Sequence, residues 1–446
     1  MQPQASALAV ELSGVARGEL RVPGSKSIAQ RALVLAGLAH GTTRLAGLPS
    51  GDDVAAAQRF LREAGVELAT PTPATANLVG RPPAWRGGWR AARVEVGESG
   101  TLARLAIATT ALCSQAGSHI EIRASGTLLA RRTDPLLDAL ESSGVVFESR
   151  EWPLRFVAIG PATTIVLANP VSSQEASALA AALASYPDEN ELAIEGALPS
   201  RPYFEMTRAL LERFGARLEC VERSPRERWR IRGPLRAPAD PFAIEPDASL
   251  AAVALGAACL SGGEVLALGV HRDSVQGDVR IAEHLRAFGC RAHFAPRGLV
   301  ASGFPQNGVE LDLVGEPDLA PVLAALAAGA ALVAPPGRAR SILRGLETLN
   351  RKESRRVDVL ADALARAGWS VEHDDSSLTI DAPRAALAQT ELRLDPLGDH
   401  RMAFAFALLG HLRAGLVIEH PGCVAKSWPR CWRELRALGL RFTPRV

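Results

Sequence analysis

The sequence predicts an α/β fold of two domains, each built from three copies of one repeat. An amphipathic helix that ends in glycine and leads into an alternating apolar strand occurs six times, and these glycines lie 71–79 residues apart. Each copy also has an Ala- and Leu-rich helix upstream, apolar on nearly every side, which should be buried. A Pro-rich segment between the third and fourth copies divides them three and three.

The glycines in these repeats fit helix C-caps, where a left-handed residue closes the last turn. They are Gly65, Gly144, Gly215, Gly289, Gly368 and Gly439. The predicted buried helices cover residues 32–39, 102–112, 176–184, 250–260, 319–328 and 402–412. Short strands follow some of them, most clearly at 43–45 and 264–268.

The repeats place a domain boundary near residues 240–247, next to the Pro-rich segment 232–241. We expect an N-terminal lobe at 21–245 and a second lobe made of 1–20 plus 246–446, each with three repeats.

Composition excludes several classes of protein. The chain has 446 residues and a formal net charge of +2, so any anion site must be local rather than a basic surface for nucleic acid or membrane. The six cysteines form no CxxC pair, which favours a reducing, cytoplasmic environment. No HExxH occurs, so a metal site has no support in the sequence. We also expect no cofactor. The N-terminus lacks a basic signal-peptide region, and the apolar run 319–334 is interrupted by proline and glycine, which favours a buried helix.

The stretch from Pro23 to Arg31 is the first candidate site. A short alternating strand ends at Pro23-Gly24, and apolar residues then recur at helical spacing. Lys26 and Ser27 therefore lie at a helix start, where unpaired N–H groups and the helix dipole favour an anion, and Arg31 follows one turn later. The order of residues is not that of a Walker A loop. Taken alone, the stretch also fits a surface cap with two solvated cations.

The other polar motifs also fall at the starts of the buried helices. Each could be a simple cap, but together they predict an anion-binding cleft between two domains. They are Gly97–Arg104, Ser172–Gln174, Asp247–Ser249, Asp318 and Gly398–Arg401. The chain has three lysines, Lys26, Lys352 and Lys426, and all lie in such motifs or in basic connecting segments.

These residues resemble those of the 5-enolpyruvylshikimate-3-phosphate synthases (3-phosphoshikimate 1-carboxyvinyltransferases) over essentially the whole chain. The matching motifs are Pro-Gly-Ser-Lys-Ser at 23–27, Gly-Thr-x-x-Arg at 100–104, Ser-Ser-Gln at 172–174, Ser-Arg-Pro-Tyr at 200–203, Val-Gln-Gly-Asp at 275–278, Lys-Glu at 352–353, Asp-His-Arg-Met-Ala at 399–403 and Ala-Lys at 425–426. The resemblance implies a two-domain inverse α/β barrel with three βαβαββ repeats per domain. It also implies transfer of the enolpyruvyl group of phosphoenolpyruvate to the 5-hydroxyl of shikimate 3-phosphate, with release of phosphate, in aromatic amino acid biosynthesis.

The resemblance implies a role for each matched residue. Ser27 and Arg31 would hold the shikimate carboxylate, and the remaining shikimate 3-phosphate ligands would be Lys26, Ser172, Ser173, Gln174, Ser200, Tyr203, Asp318 and Lys352. The phosphoenolpyruvate ligands would be Lys26, Gly100, Arg131, Gln174, Arg356, Arg401 and Lys426. Asp318 would take the hydroxyl proton, Glu353 would protonate the methylene carbon, and Lys26 would assist catalysis. The two small molecules are the expected partners, and a monomer is expected.

The chain departs from the family pattern at several positions. Ala29-Gln30 replaces the usual Ser-Asn, Ser354-Arg355 replaces Thr-Asp, and Glu98 stands where Asn is common. A carboxylate at 98 would cap the helix and pair with Arg104 or another arginine, or it would repel phosphoenolpyruvate; we favour the first.

Three further functions stay open. The first is that of the UDP-N-acetylglucosamine enolpyruvyl transferases, which share the fold but usually carry a loop cysteine, whereas residues 124–132 contain none. The second is enolpyruvyl transfer to a different cyclic acceptor. The third is ligand binding by a homologue that has lost catalysis.

Overall fold

The computed structural model describes residues 6–83, 88–90, 92–223, 226–335 and 337–445. Its contacts divide the chain into two compact units. The middle unit is Gly24–Ile244, and the terminal unit is Met1–Pro23 together with Glu245–Val446. The predicted lobes, 21–245 and 1–20 plus 246–446, stay a prediction.

The chain begins with strands β1 (Ala7–Glu11) and β2 (Arg17–Leu20), which pair only with strands of the terminal unit among the described residues. The helices of the middle unit are α1 (Lys26–Leu38), α2 (Asp52–Glu63), α3 (Gly100–Cys113), α4 (Asp134–Ser142), α5 (Ser173–Leu183) and α6 (Arg201–Arg213). Its strands are β3 (Thr42–Ala46), β4 (Glu67–Thr72), β5 (Thr75–Val79), β6 (Arg93–Glu95), β7 (His119–Arg123), β8 (Val146–Ser149), β9 (Leu154–Val157), β10 (Thr164–Ala168), β11 (Glu189–Glu195), β12 (Arg217–Glu222), β13 (Glu227–Arg232) and β14 (Phe242–Ala243).

The terminal unit continues with the second half of the chain. Its helices are α7 (Ala248–Ser261), α8 (Ile281–Ala287), α9 (Ala320–Val333), α10 (Arg356–Ala367), α11 (His400–Leu409) and α12 (Cys431–Ala437). Its strands are β15 (Glu264–Leu268), β16 (Arg291–Ala295), β17 (Gly298–Ser302), β18 (Glu310–Asp312), β19 (Ser341–Arg344), β20 (Ser370–His373), β21 (Ser377–Asp381), β22 (Leu392–Leu394), β23 (Leu416–Glu419) and β24 (Arg441–Arg445).

The predicted repeats and the α/β class are confirmed. In the part of the chain that the structure describes, the strands form six four-stranded sheets. Their orders are β14-β3-β5-β4, β6-β7-β9-β8 and β10-β11-β13-β12 in the middle unit and β16-β17-β15-β2, β18-β19-β21-β20 and β22-β23-β1-β24 in the terminal unit. Each sheet has one parallel pair at one edge and antiparallel pairs elsewhere. A buried helix joins the parallel strands where the chain is continuous, which is the βαβαββ order.

The Ala- and Leu-rich helices are buried in the core of each unit. In α7 and α9 almost every residue is buried, because small apolar side chains on all faces let neighbouring helices and sheets pack closely. The six predicted C-cap glycines all have positive φ, from 82° to 115°, so that prediction is also correct. Within the described residues, no helix combines the length and apolar character needed to cross a membrane.

Candidate active site

The start of helix α1 carries the first predicted anion-binding residues. Ser25 precedes the helix and Lys26 is its first residue. The Lys26 Nζ lies 2.9 Å from the carboxylate of Asp53, which is buried in the first turn of α2. A partly exposed cation is thus fixed at a helix N-terminus, which favours an anionic ligand.

Arg31, one turn further along α1, is a buried cation. Its Nε donates to the Thr207 hydroxyl at 2.7 Å, and its Nη1 donates to the Ser27 carbonyl at 3.0 Å. Burial lowers the pKa of the Arg31 guanidinium to about 10, and the nearby Tyr203 phenol acts in the opposite direction. Arg31 therefore stays charged at neutral pH, beside two other residues of the predicted shikimate 3-phosphate set.

Side chains converge on Gly100, the first residue of α3. A Cβ atom placed on Gly100 would lie 3.3 Å from a guanidinium nitrogen of Arg104, 3.3 Å from one of Arg131 and 3.5 Å from the Gln174 Oε1. The Gln174 Nε2 also donates to the Thr101 hydroxyl at 3.0 Å. The structure thus brings together three predicted phosphoenolpyruvate ligands, Gly100, Arg131 and Gln174.

The predicted phosphate-binding serines start helices α5 and α6. Ser172 caps α5, and its hydroxyl accepts a hydrogen bond from the Gln174 N–H at 3.2 Å. Ser173 is the first residue of that helix and is buried. Ser200 precedes α6 with φ of 50°, a left-handed conformation that costs a non-glycine residue roughly 1–2 kcal/mol. Tyr203 follows within the first turn of α6.

Asp318 is the centre of the cluster in the terminal unit. It lies in a 3₁₀ turn, Pro317–Leu319, immediately before α9. Its Oδ1 accepts from Arg356 Nη1 and its Oδ2 from Arg401 Nη2, each at 2.9 Å. Lys352 Nζ lies 3.9 Å from Oδ1.

Glu353 extends this cluster. One of its carboxylate oxygens accepts from Arg356 Nη2 at 2.6 Å, and the other lies 3.4 Å from Lys426 Nζ. Both Glu353 and Lys426 are largely buried. The structure thus joins all six predicted site residues of the terminal unit in one network: Asp318, Lys352, Glu353, Arg356, Arg401 and Lys426.

The charges in this network set the proton affinity of Asp318. Burial alone would raise its pKa, but Arg401, Lys352 and Arg356 together hold the pKa of Asp318 well below its usual range. Burial lowers the pKa of Lys352, against the opposing effect of Asp318. The pKa of Arg356 is raised despite its burial, chiefly by Asp399 and then Glu353 and Asp318. Asp318 is therefore a fully charged counter-ion in this structure.

A second carboxyl group interacts with Asp318. Asp278 accepts a hydrogen bond from the hydroxyl of Ser249, near the start of α7. Burial is the main cause that raises the pKa of Asp278 to about 7. The charge of Asp318 acts in the same direction, and the charge of Arg401 opposes it. Two carboxyl groups with opposite pKa shifts thus lie in one cluster, as is common where protons are transferred.

Comparison with known proteins identifies the family. The family described as EPSP synthase (3-phosphoshikimate 1-carboxyvinyltransferase) matches residues 10–435. The chain belongs to the EPSP synthase family. It is 33% identical over 439 residues to the 3-phosphoshikimate 1-carboxyvinyltransferase of Methanoculleus marisnigri, with 97% of this chain and 99% of the relative covered. Identity is 30% to the protein of the same name from Photobacterium damsela subsp. piscicida, over 94% of this chain and 96% of the relative.

Solved structures show the same fold. The EPSP synthase from Acinetobacter baumannii superposes with a TM-score of 0.75 at 20% identity, and covers 98% of this chain and 99% of its own. The enolpyruvyl transferase NikO from Streptomyces tendae superposes with a TM-score of 0.70 at 17% identity, and covers 99% of this chain and 99% of its own.

The departures from the EPSP synthase pattern have structural partners. The Gln30 amide exchanges hydrogen bonds with the Ser99 hydroxyl at 2.9 and 3.1 Å. Ser354 donates to Asp399 at 3.1 Å, and Arg355 pairs at the surface with Asp358 and Asp375. Gln30, Ser354 and Arg355 therefore each have a hydrogen-bond or ion-pair partner.

The expected capping role of Glu98 is wrong. Ser99 is the N-cap of α3, and its hydroxyl accepts from the Leu102 N–H at 3.2 Å. The Glu98 carboxylate instead accepts from the N–H of Thr127 at 3.4 Å and from its hydroxyl at 3.2 Å. Ser99 caps the helix instead of Glu98 because the Ser99 hydroxyl is one residue closer to the helix and reaches its free N–H groups.

Sequence reasoning assigned no role to several supporting residues of the EPSP synthase site. Asp53 pairs with Lys26, and the buried Glu316, two residues before Asp318, lies 2.8 Å from both His284 Nε2 and Arg280 Nη1. Asp53, in the first turn of an amphipathic helix, looks like an ordinary dipole-favoured acid, so nothing in its sequence context singles it out. Glu316 could have been recognised from the sequence as a supporting residue, because it is an acid just before the predicted catalytic residue Asp318.

Proposed function

We propose that this protein transfers the enolpyruvyl group of phosphoenolpyruvate to the 5-hydroxyl of shikimate 3-phosphate and releases phosphate, as a step in aromatic amino acid biosynthesis. One structural observation supports the proposal in addition to family membership. Two carboxylates, Asp318 and Glu353, share the Arg356 guanidinium within one cluster of buried cations. An acid and a base held beside fixed positive charge suit a reaction in which an anionic substrate gains and loses protons.

The carboxylate of phosphoenolpyruvate binds Arg356 and Arg401. Guanidinium groups bind carboxylates through paired N–H donors, and both arginines now use such donors on Asp318. A substrate carboxylate that takes over these donors neutralises part of the positive charge around Asp318. The pKa of Asp318 then rises from its depressed value, and the group becomes a stronger base.

Proton transfers follow from this arrangement. Asp318 takes the proton of the 5-hydroxyl while the hydroxyl oxygen bonds to C2 of phosphoenolpyruvate. Glu353 gives a proton to the C3 methylene. The product of this step is a tetrahedral intermediate. Glu353, now a carboxylate, takes a proton back from the new methyl group while phosphate departs, and the double bond is restored. Lys26, Arg131 and Lys426 stabilise the negative charge on the departing phosphate.

Shikimate 3-phosphate is held mainly by the middle unit. Arg31 and Ser27 bind its carboxylate, Gln174 and Tyr203 contact its ring, and its phosphate is bound by Ser172, Ser173, Ser200 and Lys352. Helix N-termini at Ser172 and Ser200 supply N–H donors and a favourable dipole for that phosphate. We further propose that the enzyme acts as a cytoplasmic monomer and needs no cofactor.

The experiment is phosphate release from phosphoenolpyruvate by the purified protein, with and without shikimate 3-phosphate. We expect release only with both substrates, together with a product whose mass equals shikimate 3-phosphate plus an enolpyruvyl group. The Lys26→Met variant controls for contaminating phosphatase. Release that does not require shikimate 3-phosphate, or none at all with both substrates present, overturns the proposal.

A further inference from the structure

We infer that Glu98 is a positioning residue that holds the turn before Arg131 in place through Thr127, and so sets the affinity for the donor substrate. The inference rests on the proposed function in one respect, since Arg131 is there assigned to the phosphate of phosphoenolpyruvate. The contacts of Glu98 with Thr127 are not those of a helix cap.

The turn that Glu98 contacts needs an anchor. Residues Gly126–Ala130 form a 3₁₀ turn between β7 and α4, in which Leu128 is the buried residue and Leu129 is 54% exposed. The turn ends at Arg131, whose N–H donates to the Leu128 carbonyl at 3.0 Å. A short exposed turn with one buried side chain is held weakly by packing alone.

The Glu98 carboxylate lies directly against this turn. A Cβ atom on Gly126 would fall 2.1 Å from the Glu98 Oε1, so the carboxylate occupies the space that any other residue would fill. Gly126 also has φ of 53°, where glycine is favoured. The Ser125 N–H donates to the Gly97 carbonyl at 2.9 Å, which brings the two segments together in the backbone as well.

Thr127 links the carboxylate to Arg131. A carboxylate can only accept, so the single hydroxyl proton of Thr127 points to the Glu98 Oε2 at 3.2 Å. The hydroxyl oxygen then accepts from Arg131 Nη2 at 3.1 Å. The guanidinium is thereby oriented toward Gly100, where its Nη1 would lie 3.3 Å from an added Cβ. The sequence Glu98–Thr127–Arg131 is one directed chain of hydrogen bonds.

This arrangement predicts the opposite result from charge repulsion. If Glu98 simply repelled phosphoenolpyruvate, its replacement by Asn would tighten donor binding. If it positions Arg131, the shorter Asn side chain cannot reach Thr127 and the Michaelis constant for phosphoenolpyruvate rises. We expect a rise of about tenfold in Glu98→Asn and Glu98→Ala, the usual effect of losing one charge-assisted hydrogen bond.

The test separates the positioning role from general damage to the fold. Thr127→Val removes the hydroxyl at constant shape and should raise the same Michaelis constant about tenfold, whereas Thr127→Ser should restore it to within about twofold of wild type. The Michaelis constant for shikimate 3-phosphate and the melting temperature should stay near wild type in all of them. The effects of Glu98→Ala and Thr127→Val on the Michaelis constant for phosphoenolpyruvate should not add in the double variant, because both substitutions break the same chain of hydrogen bonds.

Thr75→Val is the matched control, since the Thr75 hydroxyl also accepts a backbone hydrogen bond in an exposed turn of the middle unit, at 3.1 Å from the Thr72 nitrogen. Hydrogen exchange of the amides from 125 to 131 gives a readout that needs no turnover. It should accelerate in Glu98→Ala and Thr127→Val, but not in Thr75→Val. Unchanged exchange in this segment, or a lower Michaelis constant for phosphoenolpyruvate, overturns the inference. A wild-type enzyme with no activity overturns the proposed function instead, and exchange still decides whether Glu98 is the anchor.

Discussion

Asp399 holds the guanidinium of Arg356 by two hydrogen bonds, from Nε at 2.7 Å and from Nη2 at 3.3 Å. The same carboxylate caps α11 by accepting from the Arg401 N–H at 2.9 Å. One fully buried acid therefore fixes the Arg356 guanidinium and the helix start that carries Arg401, the two arginines that we assign to the phosphoenolpyruvate carboxylate. Asp399 therefore serves to position the guanidinium of Arg356 and the start of α11.

Asp399→Asn should weaken donor binding and lower stability together. The amide retains one acceptor oxygen but removes the negative charge beside buried Arg356, which keeps Glu353 and Asp318 as partners. We expect the free energy of unfolding to fall by about 2 kcal/mol, less than for complete loss of a buried pair, and the Michaelis constant for phosphoenolpyruvate to rise about tenfold. Urea unfolding and steady-state kinetics measure both.

Ser354→Ala, which removes only a neutral donor to Asp399, is the control and should change stability by about 1 kcal/mol or less. Normal stability and kinetics in Asp399→Asn would contradict the positioning role.

Glu353→Gln should separate chemistry from binding. The amide keeps the size of the side chain and an acceptor for Arg356, but it cannot deliver a proton to the methylene carbon. Turnover should fall by about 10²-fold or more, while calorimetry should show shikimate 3-phosphate binding within a few-fold of wild type. Turnover comparable to wild type would show that another group is the acid.

The fold could be predicted from the sequence because its signals are local. A glycine after an amphipathic helix is required by the left-handed C-cap, and all six predicted positions have positive φ. Ala- and Leu-rich segments have no polar face, so burial is their only stable outcome. The helix starts at Lys26 and Ser173 follow from similarly local rules, since Ser25 and Ser172 stand in the N-cap position.

Partners distant in sequence could not be predicted. Local pattern favours a helix cap for Glu98, yet Glu98 contacts Thr127, 29 residues away, because the β7 connection returns to the start of α3. Likewise the motifs place Asp318 and Arg401 in one site, but they do not indicate the direct ion pair between them across 83 residues. Capping follows from neighbouring residues, whereas pairing of charges depends on which loops the sheets bring together.

Gly100→Ala should impair donor binding without loss of stability. The backbone of Gly100 needs no positive φ, so alanine fits the helix start, but its Cβ would lie 3.3 Å from Arg104 and from Arg131. We expect these guanidinium groups to shift by a few tenths of an ångström and the Michaelis constant for phosphoenolpyruvate to rise by about tenfold or more, with the melting temperature unchanged. Gly422→Ala is the matched control, because no atom of the described residues lies within 4 Å of the added Cβ. An unchanged Michaelis constant in Gly100→Ala would place the substrate phosphate away from this helix start.

The stability of the middle unit should depend on pH through Glu175. This fully buried residue forms a capping box on α5, in which its Oε2 accepts from the N–H groups of Val171 at 3.0 Å and Ser172 at 3.3 Å. Burial raises the pKa of Glu175 to about 7, although Arg104 and the two N–H donors lower it in part. The helix that carries Ser173 and Gln174 thus begins on a carboxyl group that titrates near neutral pH.

Glu175→Gln tests this dependence. In the unfolded chain a glutamate titrates near its ordinary pKa, so between about pH 4.5 and 7 the folded protein binds one more proton than the unfolded one. Stability should therefore fall as pH rises through this range, by up to about 3 kcal/mol in total, and level off above pH 7. Glutamine does not titrate and retains an oxygen for the two N–H donors, so the variant should lack this component and gain stability over wild type as pH rises from 5 to 8. Urea unfolding at pH 5, 6, 7 and 8 measures the difference, with the exposed Glu212→Gln on α6 as control. Parallel curves for wild type and Glu175→Gln would show that Glu175 is already charged in the folded protein at pH 5.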